Sequence, residues 1–303
     1  MKKILIITLF FTTMIFANIN AVVSILPEKT FVEAIGGDKV NVSLMVLPGA
    51  SPHTYEPKPS QMKDVAQASL YFAIGVEFEN IWLEKFKNLN STMKVIDLSK
   101  GIKKLPIAAH HHEEEAEKKA HTQGMDPHIW TAPHNVQRIA THIYKTLSSE
   151  DPENEAYYKN NYDTFIAKIQ KTDAEIKEIL RRKAGTKFMV FHPSWGYFAN
   201  AYVLKQLPVE LEGKSPKPKE LIELIKEAKE EKVKAIFTQP EFSDSIAKVM
   251  AKELQIEVIK VSPLAADWSA NLIRIAKAIA GEPLENEPFH DETLKKSPLK
   301  ESR

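Results

Sequence analysis

Residues 151–185 read DPENEAYYKNNYDTFIAKIQKTDAEIKEILRRKAG, and this stretch decides the architecture. Asp151-Pro152 is a helix start, with Asp as the N-cap and Pro at the first helical position. Apolar side chains recur at Tyr158, Tyr162, Phe165, Ile169, Ile176 and Leu180, mostly at steps of three and four, the period of one helix face. Gly185 stops the run. A helix of roughly 30 residues is about 45 Å long at 1.5 Å per residue. That is long for a single domain and suits a rigid connector running the length of two lobes.

Outward from this helix, short apolar runs alternate with helix-like stretches on both sides. Before it, 22–25, 42–47, 70–74 and 95–98 read as strands, and 28–35, 59–68, 80–89 and 133–147 as helices. After it, 187–191, 209–211, 233–237 and 257–261 read as strands, and 218–229, 243–253 and 270–280 as helices, the second of these with Ser243 as N-cap. Continuous apolar strands are expected where helices cover both faces of a parallel sheet. The predicted class is α/β: two lobes, each a mainly parallel sheet flanked by helices, joined by one long helix. The boundaries are an N-terminal lobe over 22–150, the connector over 151–184 and a C-terminal lobe over 185–281. A His/Glu-rich loop over 110–124 and a Pro-, Glu- and Lys-rich tail over 282–303 lack the apolar side chains a core requires and are expected to be mobile or disordered.

Composition narrows the function. The 303 residues carry 41 Lys+Arg against 40 Asp+Glu, so the balance of charge supplies no argument for nucleic acid or an acidic polymer as partner. There is no cysteine, which excludes disulfides, thiolate metal sites, cysteine nucleophiles and a lipid anchor on cysteine. The start, Met1-Lys2-Lys3 followed by the apolar run 4–16 and the small residues Ala17 and Ala21, reads as a secretory signal peptide over 1–21. The run is short of the ~20 apolar residues a membrane span requires. An exported, soluble form is the expectation.

Three histidines stand in stiff, turn-rich settings. His53 lies in Pro48-Gly49-Ala50-Ser51-Pro52-His53-Thr54-Tyr55-Glu56-Pro57, His128 in Asp126-Pro127-His128-Ile129-Trp130, and His192 in Phe191-His192-Pro193-Ser194-Trp195. His53 and His192 follow strands, and strand-end loops are where α/β folds place ligand groups. Proline fixes φ and lowers the entropy lost in holding a ring in place. Three neutral imidazoles gathered from separate loops make a borderline-soft site, most naturally for zinc. His134 and His142, eight residues apart on a predicted helix, are expected to face solvent or a neighbouring helix.

The strings Pro-Gly-x-x-Pro-His-x-Tyr-Glu-Pro and Asp-Pro-His-x-Trp, in this order and followed by His192, resemble the metal-binding solute-binding proteins of ABC transporters, the zinc/manganese group, over about 22–281. The resemblance implies a periplasmic, monomeric receptor that takes Zn²⁺ with His53, His128 and His192 and passes it to a membrane permease, without catalysis. It also implies two lobes joined by a long helix. In manganese-specific relatives the position of His192 resembles a carboxylate; an imidazole there suits zinc. Many relatives carry an Asp near the start of the loop after the last strand, but Val261-Ser262-Pro263-Leu264 has none. Water in the fourth position or Asp267 swinging in are the alternatives. His110, His111, His112 and His121 form a second, looser metal signal. The stretch Phe237–Ser243 reads as structural and lobe-lining. A secreted zinc hydrolase with Asp126 or Glu56 as base is the rival class, although there is no His-Glu-x-x-His. A manganese receptor or an adhesin of the same fold is the remaining alternative.

Overall fold

The computed structural model describes residues 18–108, 124–210 and 214–284. The apolar leader core, the histidines at 110–112 and 121, and most of the tail lie outside the described residues.

The first lobe runs β1 (Ile19–Val23), α1 (Leu26–Gly36), β2 (Val40–Leu44), α2 (Pro59–Gln67), β3 (Leu70–Ala73), α3 (Glu77–Leu89) and β4 (Lys94–Asp97). Helix α4 (Pro133–Glu150) and the long α5 (Glu155–Ile179) follow. The second lobe comprises β5 (Lys187–Val190), α6 (Gly196–Ala201), β6 (Lys205–Pro208), α7 (Pro218–Glu230), β7 (Ala235–Thr238), α8 (Ser245–Leu254), β8 (Glu257–Lys260) and α9 (Trp268–Ala280). Each sheet has four strands, in the orders β2-β1-β3-β4 and β6-β5-β7-β8. Every pairing within them is parallel. The predicted class is therefore the observed one.

In each sheet the chain leaves the first strand in one direction and returns on its other side, so β1 and β3, and β5 and β7, flank a topological switch point. Such points open a crevice at the carboxyl ends of the strands. The main apolar core runs through both lobes, with a smaller cluster on one side of the second sheet. Helix α5 packs on α1 and α4 of the first lobe and on α9 of the second. Phe31 of α1 meets both Phe165 of α5 (5.6 Å) and the edge of Trp268 of α9 (5.8 Å).

Several boundaries depart from the sequence reading, each for a local reason. The connector is a 25-residue α-helix preceded by a 3₁₀ turn over Pro152–Asn154. Asp151 does not cap the backbone; its carboxylate accepts from Tyr158 Oη and Asn154 Nδ2. The regular helix gives way to a turn before Gly185, whose N–H instead bonds Val203 O and leads into β5. Residues 19–21, assigned above to the leader, form three of the five residues of the central strand β1 and pair with 40–42. Leader removal after 21 would cut that strand. The second strand of the second lobe is Lys205–Pro208 rather than 209–211, although Val209 N–H and Glu210 N–H extend the ladder to Val190 O and Phe191 O. A proline and two polar residues are tolerated there because β6 is an edge strand. Helix α8 begins at Ser245 after Asp244, not at Ser243, whose hydroxyl bonds Ser245. Glu282, assigned above to the tail, closes α9 through its N–H to Lys277 O.

Candidate metal centre

The three histidines singled out in the sequence meet between the lobes. His53 comes from the loop after β2, His192 from the end of β5, and His128 from a segment that the first lobe sends to the junction. The His53 and His192 ring centroids are 5.1 Å apart, and those of His128 and His192 5.4 Å. A tetrahedral ion with Zn–N bonds of about 2.0–2.1 Å separates the centroids of its imidazole ligands by roughly 5 Å. The spacing therefore suits zinc. Among the described residues, however, no group of three His, Asp or Glu side chains is yet arranged to hold an ion. The rings border a cavity of about 20 Å³, room for one water-sized occupant.

Each ring has a carboxylate behind it. Asp126 Oδ1 accepts from His128 Nδ1 at 2.7 Å and from the His128 backbone N–H at 2.9 Å. Glu210 Oε2 accepts from His192 Nδ1 at 2.9 Å. Glu77 Oε2 lies 3.6 Å from His53 Nδ1, an ion-pair contact rather than a hydrogen bond. A proton on Nδ1 leaves the Nε2 lone pair for a metal, and such partners also raise the basicity of the ligand. His192 Nε2 is buried without a hydrogen-bond partner in the structure. A buried orphan of this kind is costly unless a ligand satisfies it. Burial pushes the proton affinity of His53 below the ordinary histidine value; Glu77 opposes this and His192 reinforces it. The neutral form that a metal requires is thereby favoured.

Packing and backbone bonds hold the rings. His192 stacks on Phe242 at 5.0 Å, and His128 lies against Trp130 at 5.3 Å. Gln239 accepts from His192 N–H and donates to both His192 O and Ser194 Oγ. Gly196 opens α6 where a Cβ would lie 2.5 Å from Asp126 Oδ2, so the absence of a side chain lets that carboxylate approach. Tyr197 Oη donates to Asp126 O and accepts from Leu105 N–H, linking α6 to both residues.

Other sequence candidates lie elsewhere. Asp267 caps α9, accepting from Ala270 N–H at 3.1 Å, and does not line the cavity. Its proposed swing into the site would cost that cap. Glu56 is exposed, and His142 Nε2 donates to Lys100 O. Sequence reasoning missed Glu77, Glu210, Gln239 and Glu241. Glu210 had a signal: a carboxylate inside an apolar strand-like run is seldom buried without a task. A larger concavity of about 1180 Å³ lies beside β8, lined by Lys229, Lys232, Lys260 and Arg274 among others. It gathers no histidine, so chemistry rather than volume picks out the smaller cavity.

Two parallel-sheet lobes on a long helix, with the candidate ligands at their junction, define the class: a two-lobed solute-binding protein. The family profile described as zinc-uptake complex component A, periplasmic (ZnuA) matches residues 21–281, and the chain belongs to this family. It is similar to the zinc-binding protein AdcA of Streptococcus pyogenes serotype M3, 27% identical over 262 residues, which are 82% of this chain and 50% of that protein. The chain thus spans about half the length of these streptococcal relatives. The high-affinity zinc uptake system protein ZnuA of Bacillus subtilis is 29% identical over 242 residues, 78% of this chain and 76% of that one. A crystal structure of ZnuA superposes with a TM-score of 0.79 at 42% identity, covering 88% of this chain and 99% of the other. The family is one of non-enzymatic solute-binding proteins, which removes the hydrolase reading. No helix among the described residues is long and apolar enough to cross a membrane.

Proposed function

We propose that this protein captures Zn²⁺ in the periplasm with His53, His128 and His192 and delivers it to the permease of an ABC importer. The ion is cargo, not a resident cofactor. The observation that carries the reading is the convergence of three imidazoles, two with Nδ1 hydrogen-bonded to a buried carboxylate and one of these with an orphaned Nε2. Both lobes contribute, so a small relative displacement changes the coordination and offers a route to release. Imidazoles favour zinc over manganese. The apolar N-terminal stretch serves as the export signal in this reading, and the protein works as a monomer. The histidines of 110–121 form a weaker, accessory zinc site in this reading.

Zinc titration against a competing chelator tests the assignment. The unaltered protein is expected to hold one tight zinc that displaces manganese completely. Alanine at His53, His128 or His192 is expected to abolish tight binding. Deletion of 110–121 should lower the zinc count only at high zinc. Loss of the tight site in the deletion, with its retention in His192→Ala, would overturn the proposal.

A further inference from the structure

We propose that Glu241 supplies the fourth protein ligand to the ion and so determines whether water reaches it; this rests on the three-histidine reading above. The loop after β8 runs Val261-Ser262-Pro263-Leu264 and carries no carboxylate at these positions. The structure brings a carboxylate to the same place from the neighbouring loop. Glu241 follows β7 and lines the cavity with the three histidines. Its Oε1 accepts from Ser262 Oγ at 3.0 Å. Ser262 is itself fixed: its hydroxyl accepts from Leu264 N–H, and its carbonyl accepts from Asn271 Nδ2. A serine after β8 thus orients a carboxylate borne at the end of the preceding strand, β7.

The flanking residues tie Glu241 to the metal site. Gln239, two positions before, bonds the backbone of His192, and Phe242, the next residue, stacks on its ring. These contacts fix the backbone on both sides of Glu241 beside His192. Glu77 also lines the cavity, but it faces Nδ1 of His53 and completes the series of carboxylates behind the three rings. Asp267 is committed to its helix cap. Glu241 lines the cavity with its carboxylate held by Ser262. A tetrahedral site of three imidazoles and one carboxylate is closed, whereas three imidazoles and water leave an exchangeable position. A cargo carrier benefits from the closed arrangement, because a water ligand is a point of entry for competing anions and chelators.

The experiment uses the full-length protein with Zn²⁺ for affinity and Co²⁺ for spectroscopy, with azide as a probe of an open position. In the unaltered protein, azide is expected to leave the Co²⁺ absorption spectrum unchanged. Glu241→Gln and Glu241→Ala are expected to lower zinc affinity by roughly tenfold to a hundredfold, the range seen when groups supporting a metal site are removed. In Glu241→Ala the Co²⁺ spectrum should then respond to azide. Ser262→Ala should move affinity in the same direction by less. Unchanged melting of the metal-free variants separates these effects from misfolding; if Glu241→Ala melts lower, the isosteric Gln variant decides. An azide response in the unaltered protein, or unaltered affinity in Glu241→Gln, would overturn the role of Glu241. Tight zinc binding that survives His192→Ala would instead overturn the histidine site on which it rests.

Discussion

Asp126 and Gly196 show how closely individual residues are matched at this site. Asp126 is fully buried and bonds the ring and backbone of His128, while Gly196 leaves the space for its second oxygen. Gly196→Ala would push a methyl into that oxygen and tilt His128. We expect zinc affinity to fall by about tenfold to a hundredfold while the metal-free protein keeps its circular dichroism spectrum; wild-type affinity in this variant would show that Asp126 does not set the ring. The protonation of the ligands can be tested the same way. Zinc competes with protons at each imidazole, and free histidine titrates near ~6.5. Affinity should fall as pH drops from about 7 to 5, with more than one proton taken up per zinc released. Burial lowers the proton affinity of His53, so its share of the loss falls at the acidic end of that window. Calorimetry in buffers of different ionisation heat counts the protons, and a pH-independent affinity would exclude histidine ligands.

At the scale of elements, two buried carboxyls fasten the strand ends of the first lobe. Glu28 of α1 accepts from Ser24 N–H and Ile25 N–H, each at 3.0 Å. Glu79 of α3 accepts from Ile74 N–H, Gly75 N–H and Ser24 Oγ, so the β1–α1 and β3–α3 turns share one polar knot. Glu77, behind His53, is in the first turn of the same helix. Burial pushes both carboxyls above the ordinary carboxylate range, and for Glu28 the proximity of Glu79 adds to it. A carboxyl that holds its proton more tightly when folded stabilises the fold most below its unfolded value, near ~4.3 for Glu, and that contribution is lost as pH rises through the folded value. Glu28→Gln keeps an acceptor for the two N–H groups and removes the ionisation. The variant should melt close to the unaltered protein near pH 4 and above it at pH 8, by about 2–4 °C for each kcal/mol recovered. A gap between the two that does not widen with pH would show that Glu28 is not the source of the slope.

Across the whole molecule, the lobes are bonded rather than merely adjacent. Trp268 Nε1 donates to Trp130 O, and Trp130 Nε1 donates to Pro263 O, both at 2.7 Å. Thr30 of α1 donates to Ala266 O, and Phe31 packs on Trp268. With α5 packed along both lobes, this junction permits small displacements and opposes wide opening. Trp130 and Pro263 also line the metal cavity, so the indole pair couples lobe docking to the site. Trp268→Phe leaves the buried Trp130 carbonyl without its donor, a loss of about 1–3 kcal/mol. We expect a lower denaturant midpoint and faster zinc dissociation in stopped-flow chelator exchange. A variant that unfolds earlier but releases zinc at the original rate would show that the junction stabilises the fold without holding the cavity.

Local chemistry was enough for the sequence to determine the class of fold and the long helix and to single out three histidines, whose reading as ligands rested also on the family resemblance. Continuous apolar strands, a three- and four-residue apolar period from Tyr158 to Leu180, and rings set among prolines are all properties of neighbouring residues. Element edges were less legible: β6 is polar and ends in proline, and only its place at a sheet edge makes that sequence a strand. The partners of the histidines depended on tertiary structure. Glu77 and Glu210 sit 24 and 18 positions from the histidines they approach in space (His53 and His192), as counted along the chain. No periodicity reports such a pairing. It arises where parallel strands from distant segments end side by side, and only the folded register decides which carboxylate faces which ring.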